Sequence, residues 1–224
     1  MKASTSPPSA TATRAADLAA AEIRRQIQDG FLAPGQRLIE AELMTQVPVG
    51  RSTLREAFLK LAAEGLVELQ HQRGACVRRM SRVAMSELFQ LRECLEGYAA
   101  GLAAGRIALA SHRAWLQEAR AVWLKRDVLD NELAHMENNV PLHEGIVAMA
   151  GNQRLADMLR PLDLPGYRLQ FLRLLDGEQR VVSAHQHLDI IDAILAGKPA
   201  RAEKLMREHV RRAGRLALLI PGLV

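Results

Sequence analysis

The segment from Gly35 to Met80 constrains the fold more than any other part of the sequence, because turn signals divide it into two short helices and a hairpin. It reads GQRLIEAELMTQVPVGRSTLREAFLKLAAEGLVELQHQRGACVRRM. Ile39 and Leu43 give the first helix an apolar face at positions i and i+4. Pro48, in the turn VPVG, ends that helix because proline cannot donate a backbone hydrogen bond. The order helix, turn, helix, hairpin predicts a winged helix-turn-helix.

The second helix of this segment has one apolar face and one polar face. It begins near Arg51, which lies at the edge of the polar face, and Arg55 lies one turn later. Two arginines one turn apart usually form a solvated helix surface. Here the turn before the helix and the hairpin after it favour DNA reading instead. In the major groove, one arginine can bind guanine O6 and N7 together. The apolar face consists of Leu54, Ala57, Phe58 and Leu61.

The wing follows Gly65, the predicted end of this helix. LVEL and ACVRR alternate apolar and polar residues, which predicts two strands, and HQRG between them predicts the turn. Arg73 and Gly74 are therefore expected at the tip of the wing.

The run VGRSTLREAFLKLAAEGLVE, followed by RGACV, resembles the DNA-binding domain of GntR-family bacterial transcription regulators over residues 14–80. The resemblance implies a double-stranded DNA operator as partner, with the helix arginines on bases and the wing tip in the minor groove. Ala41 stands where some relatives carry a further base-reading arginine, so a different operator is expected. Gly50 replaces the usual serine before the helix. The implied DNA-binding residues are Arg51, Ser52, Thr53, Arg55, Arg73 and Gly74.

Composition agrees with two domains in one chain. The 224 residues, 49% of them hydrophobic, can build two cores. The net charge is +5, which mildly favours an anionic partner, but residues 14–80 carry only ten Arg or Lys against eight Asp or Glu. DNA binding must therefore depend on where the arginines lie.

The first residues and the two cysteines indicate the compartment. Residues 1–12 are rich in Ser, Thr, Ala and Pro and lack the apolar run of a signal peptide, which predicts a disordered lead-in. Cys76 and Cys94 form neither a disulfide framework nor a metal spacing. No stretch reaches the roughly 18 apolar residues of a membrane span. We expect a cytoplasmic protein without a membrane partner, with a winged helix domain at residues 13–80.

Residues 83–220 show helical periodicity and no strand signal, which predicts an all-α antiparallel bundle. The fold class is therefore mainly α, with a small β-hairpin in the wing. Predicted helices cover residues 86–107, 112–126, 128–150, 153–160, 166–175, 179–196 and 199–218, separated by glycines and prolines.

Three histidines of the predicted bundle are candidates for a shared site. His143 lies four residues after Asn139, and His187 and His209 lie on the last two long helices. Imidazoles from several helices can converge on one metal, and imidazole suits zinc, nickel, iron or manganese. Each histidine taken alone is more typical of a surface or hydrogen-bonded core residue. Spacing leaves both interpretations open.

The motifs around these histidines, with LRECLEGYAAGLAA, resemble the FCD effector-binding domain of the FadR-like branch over nearly all of residues 83–220. The resemblance implies a divalent metal, zinc before nickel or manganese, bound by Asn139, His143, His187 and His209. His185 lies only two residues before His187, but the spacing to the following motif AILAG matches His187 and not His185. Many relatives have a carboxylate at the Asn139 position, so a more positive site is expected here. Pro141 predicts a kink in the helix.

The same resemblance implies a homodimer in which the bundle binds a small organic-acid effector, and a repressor that releases DNA in response. Arg92 matches an arginine that faces the ligand cavity in some relatives, where a guanidinium can hold a carboxylate through two hydrogen bonds. The alternative is a surface ion pair with Glu96, four residues later. Both interpretations stay open.

An enzyme is the alternative class of function. A three-histidine metal site could activate water in a metal-dependent hydrolase, and Glu132 with His135 has the spacing of a bundle carboxylate site. There is no Gly-x-Ser-x-Gly, phosphate loop or dinucleotide fingerprint. An enzyme would also leave the winged helix unexplained. We predict that the chain is not an enzyme and has no catalytic residues.

Overall fold

The computed structural model describes residues 10–70, 74–163, 167, 171, 174–220 and 223–224 of the chain, which are mostly helical. They form two compact units. The first comprises the described residues up to Met80, together with Tyr167 and Val224, and the second comprises the others from Ser81 onward. No helix in the described part of the chain is both long and apolar enough to cross a membrane.

The first unit has the predicted helix-turn-helix and wing. A third strand, β1, was not predicted; it pairs Arg37 with Cys76 and Leu38 with Ala75, so the antiparallel sheet has the order β1-β3-β2. Among the described residues the elements are α1 (Ala10–Gln28), β1 (Arg37–Leu38), α2 (Glu40–Gln46), α3 (Arg51–Ala63), β2 (Val67–Gln70) and β3 (Gly74–Val77).

Helix α3 is held on the core of the first unit by the predicted apolar face, since Leu54, Ala57, Phe58 and Leu61 are all buried. Helix α1 covers this core and contributes buried Ile23 and Ile27. The Arg24 guanidinium of α1 donates two hydrogen bonds to the Glu64 carboxylate, of 2.8 and 2.6 Å. Because the apolar face of α3 is fully used, its arginines remain on the outer surface.

The lead-in predicted for residues 1–12 falls largely outside the described residues, and its last three residues already belong to α1, which the structure describes from Ala10. The alanine-rich sequence after Ala10 favours helix. Gly65 has a φ of +74° immediately after α3, where glycine ends a helix without strain.

The second unit is a helical bundle, as predicted. The long helix predicted for residues 128–150 is divided, because Asn131 accepts hydrogen bonds from the backbone amides of Leu133 and Ala134 and so caps a new helix. The helix predicted for residues 166–175 lies mostly outside the described residues. The elements are α4 (Arg82–Gly105), α5 (Ala110–Trp123), α6 (Arg126–Asp130), α7 (Glu132–Met149), α8 (Gln153–Leu159), a 3-10 turn (Arg160–Leu162), α9 (Gly177–Leu195) and α10 (Pro199–Ala217).

Helices α4 and α10 approach closely because glycines lie between them. A Cβ atom at Gly214 would lie 2.8 Å from the Cβ of Phe89, and one at Gly101 would lie 3.5 Å from the backbone oxygen of Pro199. A side chain at Gly214 would require Phe89 or one of the two helices to shift, whereas a Cβ at Gly101 would be in ordinary van der Waals contact. The low aromatic content of the chain, 4%, is consistent with this packing through small residues.

Candidate nucleic-acid interface and candidate metal centre

Arg51 and Arg55 lie exposed on the first two turns of α3, and one carboxylate holds both. Oε2 of Glu40 lies 3.0 Å from Nε of Arg51, and Oε1 of Glu40 accepts a hydrogen bond of 2.8 Å from Nε of Arg55. Both contacts use Nε, and among the described residues no hydrogen bond occupies the Nη groups of either arginine. The Nη groups of both exposed side chains therefore remain available to another molecule. Sequence analysis did not identify Glu40.

The other predicted DNA-binding residues are in the first turn of α3 or in the wing. Ser52 is exposed and Thr53 is half-buried in the first turn of α3. Gly74 begins β3 with a φ of +85°, and a side chain there would meet open space. Arg73, the other predicted wing residue, lies outside the described residues.

The start of α3 has no side-chain cap, as the absence of a serine predicts. Gly50 occupies the N-cap position with a φ of −72°, and it provides only its backbone oxygen to Leu54. Ala41, which stands where some relatives have an arginine, is exposed on α2.

Three histidines from three helices converge inside the bundle. Nε2 of His187, on α9, lies 3.3 Å from Nε2 of His143 on α7 and 3.1 Å from Nε2 of His209 on α10. His187 is completely buried, and His209 is 5% exposed. The structure thus brings together the three histidines that the sequence places up to 66 positions apart.

The opposite ring nitrogens of two histidines are engaged by polar side chains. Nδ1 of His143 lies 2.5 Å from Oε2 of Glu96, and Nδ1 of His209 lies 3.0 Å from Oε1 of Gln186. A carboxylate or amide oxygen only accepts hydrogen bonds, so both Nδ1 atoms must carry the proton. The Nε2 lone pairs of His143 and His209 are therefore directed toward His187. This arrangement offers lone pairs to a cation.

Burial keeps two of these histidines neutral. The pKa of His187 is lowered well below its ordinary value, first by burial and then by the nearby His209 and His143. Burial, and then His143, also lower the pKa of His209 well below the ordinary value. Burial of Glu96 would raise its pKa, but Arg92 and His143 outweigh that effect and hold the pKa at about 2. The centre therefore combines the neutral imidazoles of His187 and His209 with the ionised carboxylate of Glu96.

Asn139, the fourth predicted ligand, borders the three histidines. Its Nδ2 lies 3.5 Å from Nε2 of His187, so its amide would have to turn half round to offer Oδ1 to a metal. Pro141, where the sequence predicts a kink, lies inside α7, which extends from Glu132 to Met149. Pro141 is on the exposed side of the helix. His185 is exposed and away from the three histidines, in agreement with the selected register.

Arg92 forms an ion pair with Glu96, which was one of the two roles predicted for it. Its Nε donates a 2.7 Å hydrogen bond to Oε1 of Glu96, the carboxylate that also contacts His143. The guanidinium carbon lies 5.2 Å from the centre of the Phe89 ring. Glu96 is 3% exposed, so this pair is not a surface ion pair. Among the described residues, the Nη groups of Arg92 have no hydrogen-bond partner, which leaves one edge of the guanidinium free.

An aromatic wall behind the histidines was not predicted. The ring centre of the buried Trp123 lies 4.1 Å from that of His187, and the ring centre of His135 lies 5.0 Å from Trp123 in an edge-on arrangement. The ring nitrogens of His135 lie 3.3 Å from the Val128 carbonyl oxygen and 3.2 Å from Ser183 Oγ, so its hydrogen-bond partners do not include Glu132. His135 thus belongs to the wall, and the Glu132 and His135 carboxylate site is not formed.

The two Nε2 separations that involve His187 fit one bound metal ion, and the ligand atoms of all three histidines lie within 4.8 Å of one another. Two nitrogens held about 2.0–2.1 Å from an ion in tetrahedral geometry lie about 3.3–3.4 Å apart. The observed separations of 3.3 and 3.1 Å are close to that value. In addition, Glu96 and Gln186 orient two of the imidazoles in the way that hydrogen-bonded groups orient metal-binding histidines.

Two sequence profiles match the chain and divide it as the structure does. Residues 15–77 match the profile of the gntR family of bacterial regulatory proteins, and residues 87–212 match the FCD domain. Helix α3 lies within the first match, and all three histidines lie within the second.

Characterised relatives and a solved structure are similar over most of their length. The transcriptional repressor GlaR of Escherichia coli strain K12 is 30% identical over 201 residues, covering 84% of this chain and 89% of the relative. The transcriptional repressor RspR of the same strain is 27% identical over 191 residues, covering 84% and 82%. A GntR transcriptional regulator from Rhodococcus sp. RHA1 has a similar structure, with a TM-score of 0.72, 25% identity and coverage of 92% and 98%.

Proposed function

We propose that this chain, which belongs to the GntR family of bacterial regulatory proteins and carries an FCD domain, is a homodimeric repressor. As a member of that family it is a DNA-binding transcription regulator. A small organic acid would release it from its operator. The convergence of three Nε2 atoms inside the bundle carries the proposal of a metal-containing effector pocket. The alternative of a metal-dependent hydrolase has no support among these relatives, which are transcription regulators.

The operator contact that we propose uses Arg51 and Arg55 on bases, with Ser52, Thr53, Arg73 and Gly74 completing the surface. The support is the exposed position of the two arginines and their attachment to Glu40 through Nε. Each free guanidinium end can form two hydrogen bonds with a guanine edge. Because the ion pairs with Glu40 restrict both side chains, less conformational entropy is lost when they bind DNA.

The metal ligands that we propose are His143, His187, His209 and Asn139. A set of three imidazoles and one amide oxygen suits zinc, with nickel or manganese as alternatives. A bound divalent ion would supply a positive charge and open coordination positions for a carboxylate. The aromatic wall of Trp123 excludes water from behind His187.

The effector that we propose is a small molecule with at least one carboxylate. Arg92 presents a free guanidinium edge close to the histidines, while its other edge is held by Glu96. This edge can bind a carboxylate through two parallel hydrogen bonds. Asn139 adds no negative charge, so the pocket favours anions more strongly than one with a carboxylate in its place.

The homodimer that we propose uses an apolar stripe on α4. Leu91 and Tyr98 are exposed and lie two turns apart, with half-buried Leu95 and Leu102 beside them. Exposed apolar stripes of this kind mark interaction surfaces. A two-fold dimer would present two recognition helices and would require inverted half-sites in the operator.

One set of measurements tests the proposed function. A panel of hydroxy acids, sugar acids and amino acids is screened for release of a fluorescent operator from the purified protein. We expect release by one class of carboxylate, reduced in Arg92→Ala. Sedimentation should show a dimer that Tyr98→Glu dissociates. A monomer that binds one half-site with full affinity, or DNA binding that no carboxylate alters, would contradict the proposal.

A further inference from the structure

We infer that Glu96 is the positioning residue of the metal centre: it fixes the tautomer of His143 and is itself held by Arg92. This inference rests on the proposed metal pocket and names the residue that sets its geometry. Glu96 is 3% exposed on α4 and lies one turn before Ala99 and Ala100, which are completely buried. A buried carboxylate is costly unless both of its oxygens are paired with donors, so its two contacts define its role.

Among the described residues, each oxygen of Glu96 contacts one donor. Oε1 accepts from Nε of Arg92 at 2.7 Å, and Oε2 lies 2.5 Å from Nδ1 of His143. A carboxylate has acceptors but no donor, so His143 must carry its proton on Nδ1. The lone pair on Nε2 of His143 then faces His187 at 3.3 Å, as metal binding requires.

A glutamine at this position could not serve both partners. An amide has one acceptor oxygen and one donor group, whereas Arg92 and His143 both offer a donor. Arg92 cannot lose its proton, so it should take the oxygen, and the amide nitrogen should then donate to Nδ1 of His143. The proton of His143 would move to Nε2, which cannot bind a metal while protonated. Removing Arg92 as well would return the amide oxygen to His143.

This reasoning predicts a rescue. Zinc affinity is measured at one pH by competition with a chelator for the wild type, Glu96→Gln, Arg92→Met and the double variant. We expect Glu96→Gln to bind zinc about 10–100-fold more weakly, and the double variant to recover most of the loss. Glu93→Gln is the matched control, because Glu93 lies on the same helix and pairs with Arg211. It should bind zinc as the wild type does.

The tautomer of His143 is the second readout and needs no metal. In zinc-free protein, nitrogen NMR of the imidazoles, assigned with His143→Ala, should show the Nδ1-protonated form in the wild type, the Nε2-protonated form in Glu96→Gln, and the first form again in the double variant. Wild-type affinity in Glu96→Gln, or no recovery in the double variant, overturns the inference.

Two further outcomes are also decisive. If the wild type binds no zinc, the metal proposal fails, and the tautomers alone decide the role of Glu96. If Glu96→Gln does not fold, the double variant is compared with the wild type: an Nδ1-protonated His143 supports the inference, and an Nε2-protonated one overturns it.

Discussion

Nδ1 of His143 lies 2.5 Å from Oε2 of Glu96, so a carboxylate of α4 orients an imidazole of α7 inside the bundle. This contact joins the two helices at the point where three histidines meet. The same carboxylate accepts a hydrogen bond from Arg92. A movement of the Arg92 guanidinium would therefore be transmitted to the His143 imidazole through the Glu96 side chain.

The metal centre is tested by removing its ligands. His143→Ala, His187→Ala and His209→Ala should each abolish stoichiometric metal in protein purified without a histidine tag. A site loaded at about 100 times its Kd stabilises the fold by about 2.7 kcal/mol, so chelator should lower the Tm of the wild type and not of these variants. His185→Ala, which changes an exposed histidine of α9, is the control. Metal retained in all three variants would exclude the site.

Operator reading is tested on α3. Arg51→Ala and Arg55→Ala should each lose about 1–3 kcal/mol of discrimination between operator and scrambled DNA, because a two-pronged base contact is removed. Arg126→Ala removes the same charge from an exposed arginine of the bundle and should preserve discrimination. Equal losses on both DNAs would reassign the two α3 arginines to phosphate contacts.

Glu40 is expected to support specificity without touching DNA. Glu40→Gln weakens the ion pairs that order Arg51 and Arg55, so each side chain must be ordered on binding at a cost of about 0.5–1.5 kcal/mol. Binding to scrambled DNA should not weaken, since a negative charge near the phosphates is lost. Fluorescence anisotropy with both DNAs measures the ratio of the affinity for operator to the affinity for scrambled DNA. An unchanged ratio would show that Glu40 does not order the arginines.

The open N-cap of α3 offers a stabilising substitution. Gly50→Ser should raise the free energy of unfolding by about 0.5–1 kcal/mol, because serine caps the helix and restricts the unfolded chain. A Cβ at Gly50 meets no atom within 4 Å. Gly65→Ser is the opposite control, since its φ of +74° should cost about 1–2 kcal/mol. Thermal unfolding monitored by circular dichroism should show a higher Tm for Gly50→Ser and a lower Tm for Gly65→Ser.

Stability without metal should fall with acid. The folded-state pKa values of His187 and His209 lie below the ordinary value of 6.5, so below that pH the unfolded chain binds more protons and the free energy of unfolding decreases. Each histidine contributes at most about 1.4 kcal/mol per pH unit. Glu96 acts in the same direction between pH 4.5 and about 2.

Urea unfolding of chelator-treated protein between pH 8 and 5 measures this slope. His209→Ala should make the slope shallower, and the exposed His185→Ala should not change it. A slope that is identical in the wild type and His209→Ala would mean that His209 is not held neutral by the fold.

The sequence predicted the elements that follow local rules. The apolar face of α3, the stop at Gly65 and the hairpin strands all depend on periodicity and turn chemistry within a few residues, and the structure contains them. Strand β1 was missed because two residues carry no periodicity; it exists only because β3 offers it a pairing edge. The split at Asn131 was missed because a capping side chain was read as part of a continuous helix.

The three histidines were identified through family motifs, and Arg92 with its partner Glu96 was identified in the same way. The contact between Glu96 and His143 was not predicted, because it joins residues of two helices that lie 47 positions apart in the sequence. Glu40, Gln186 and Trp123 gave no comparable signal, because each acts through a residue on a different helix. Such contacts are fixed by packing over long sequence separations, which local patterns do not encode.

The close contact of α4 and α10 at Gly101 and Gly214 limits how the bundle can transmit a signal. A gradual slide would drive the Phe89 side chain against the backbone at Gly214, where a Cβ would lie only 2.8 Å from the Phe89 Cβ. Closely packed helices of this kind have a few discrete arrangements instead of a continuous range. Glu96 and His209 lie on these two helices. We therefore expect effector binding to change the packing of α4 against α10 in one step. At intermediate effector concentrations, the sample should contain a mixture of the two states.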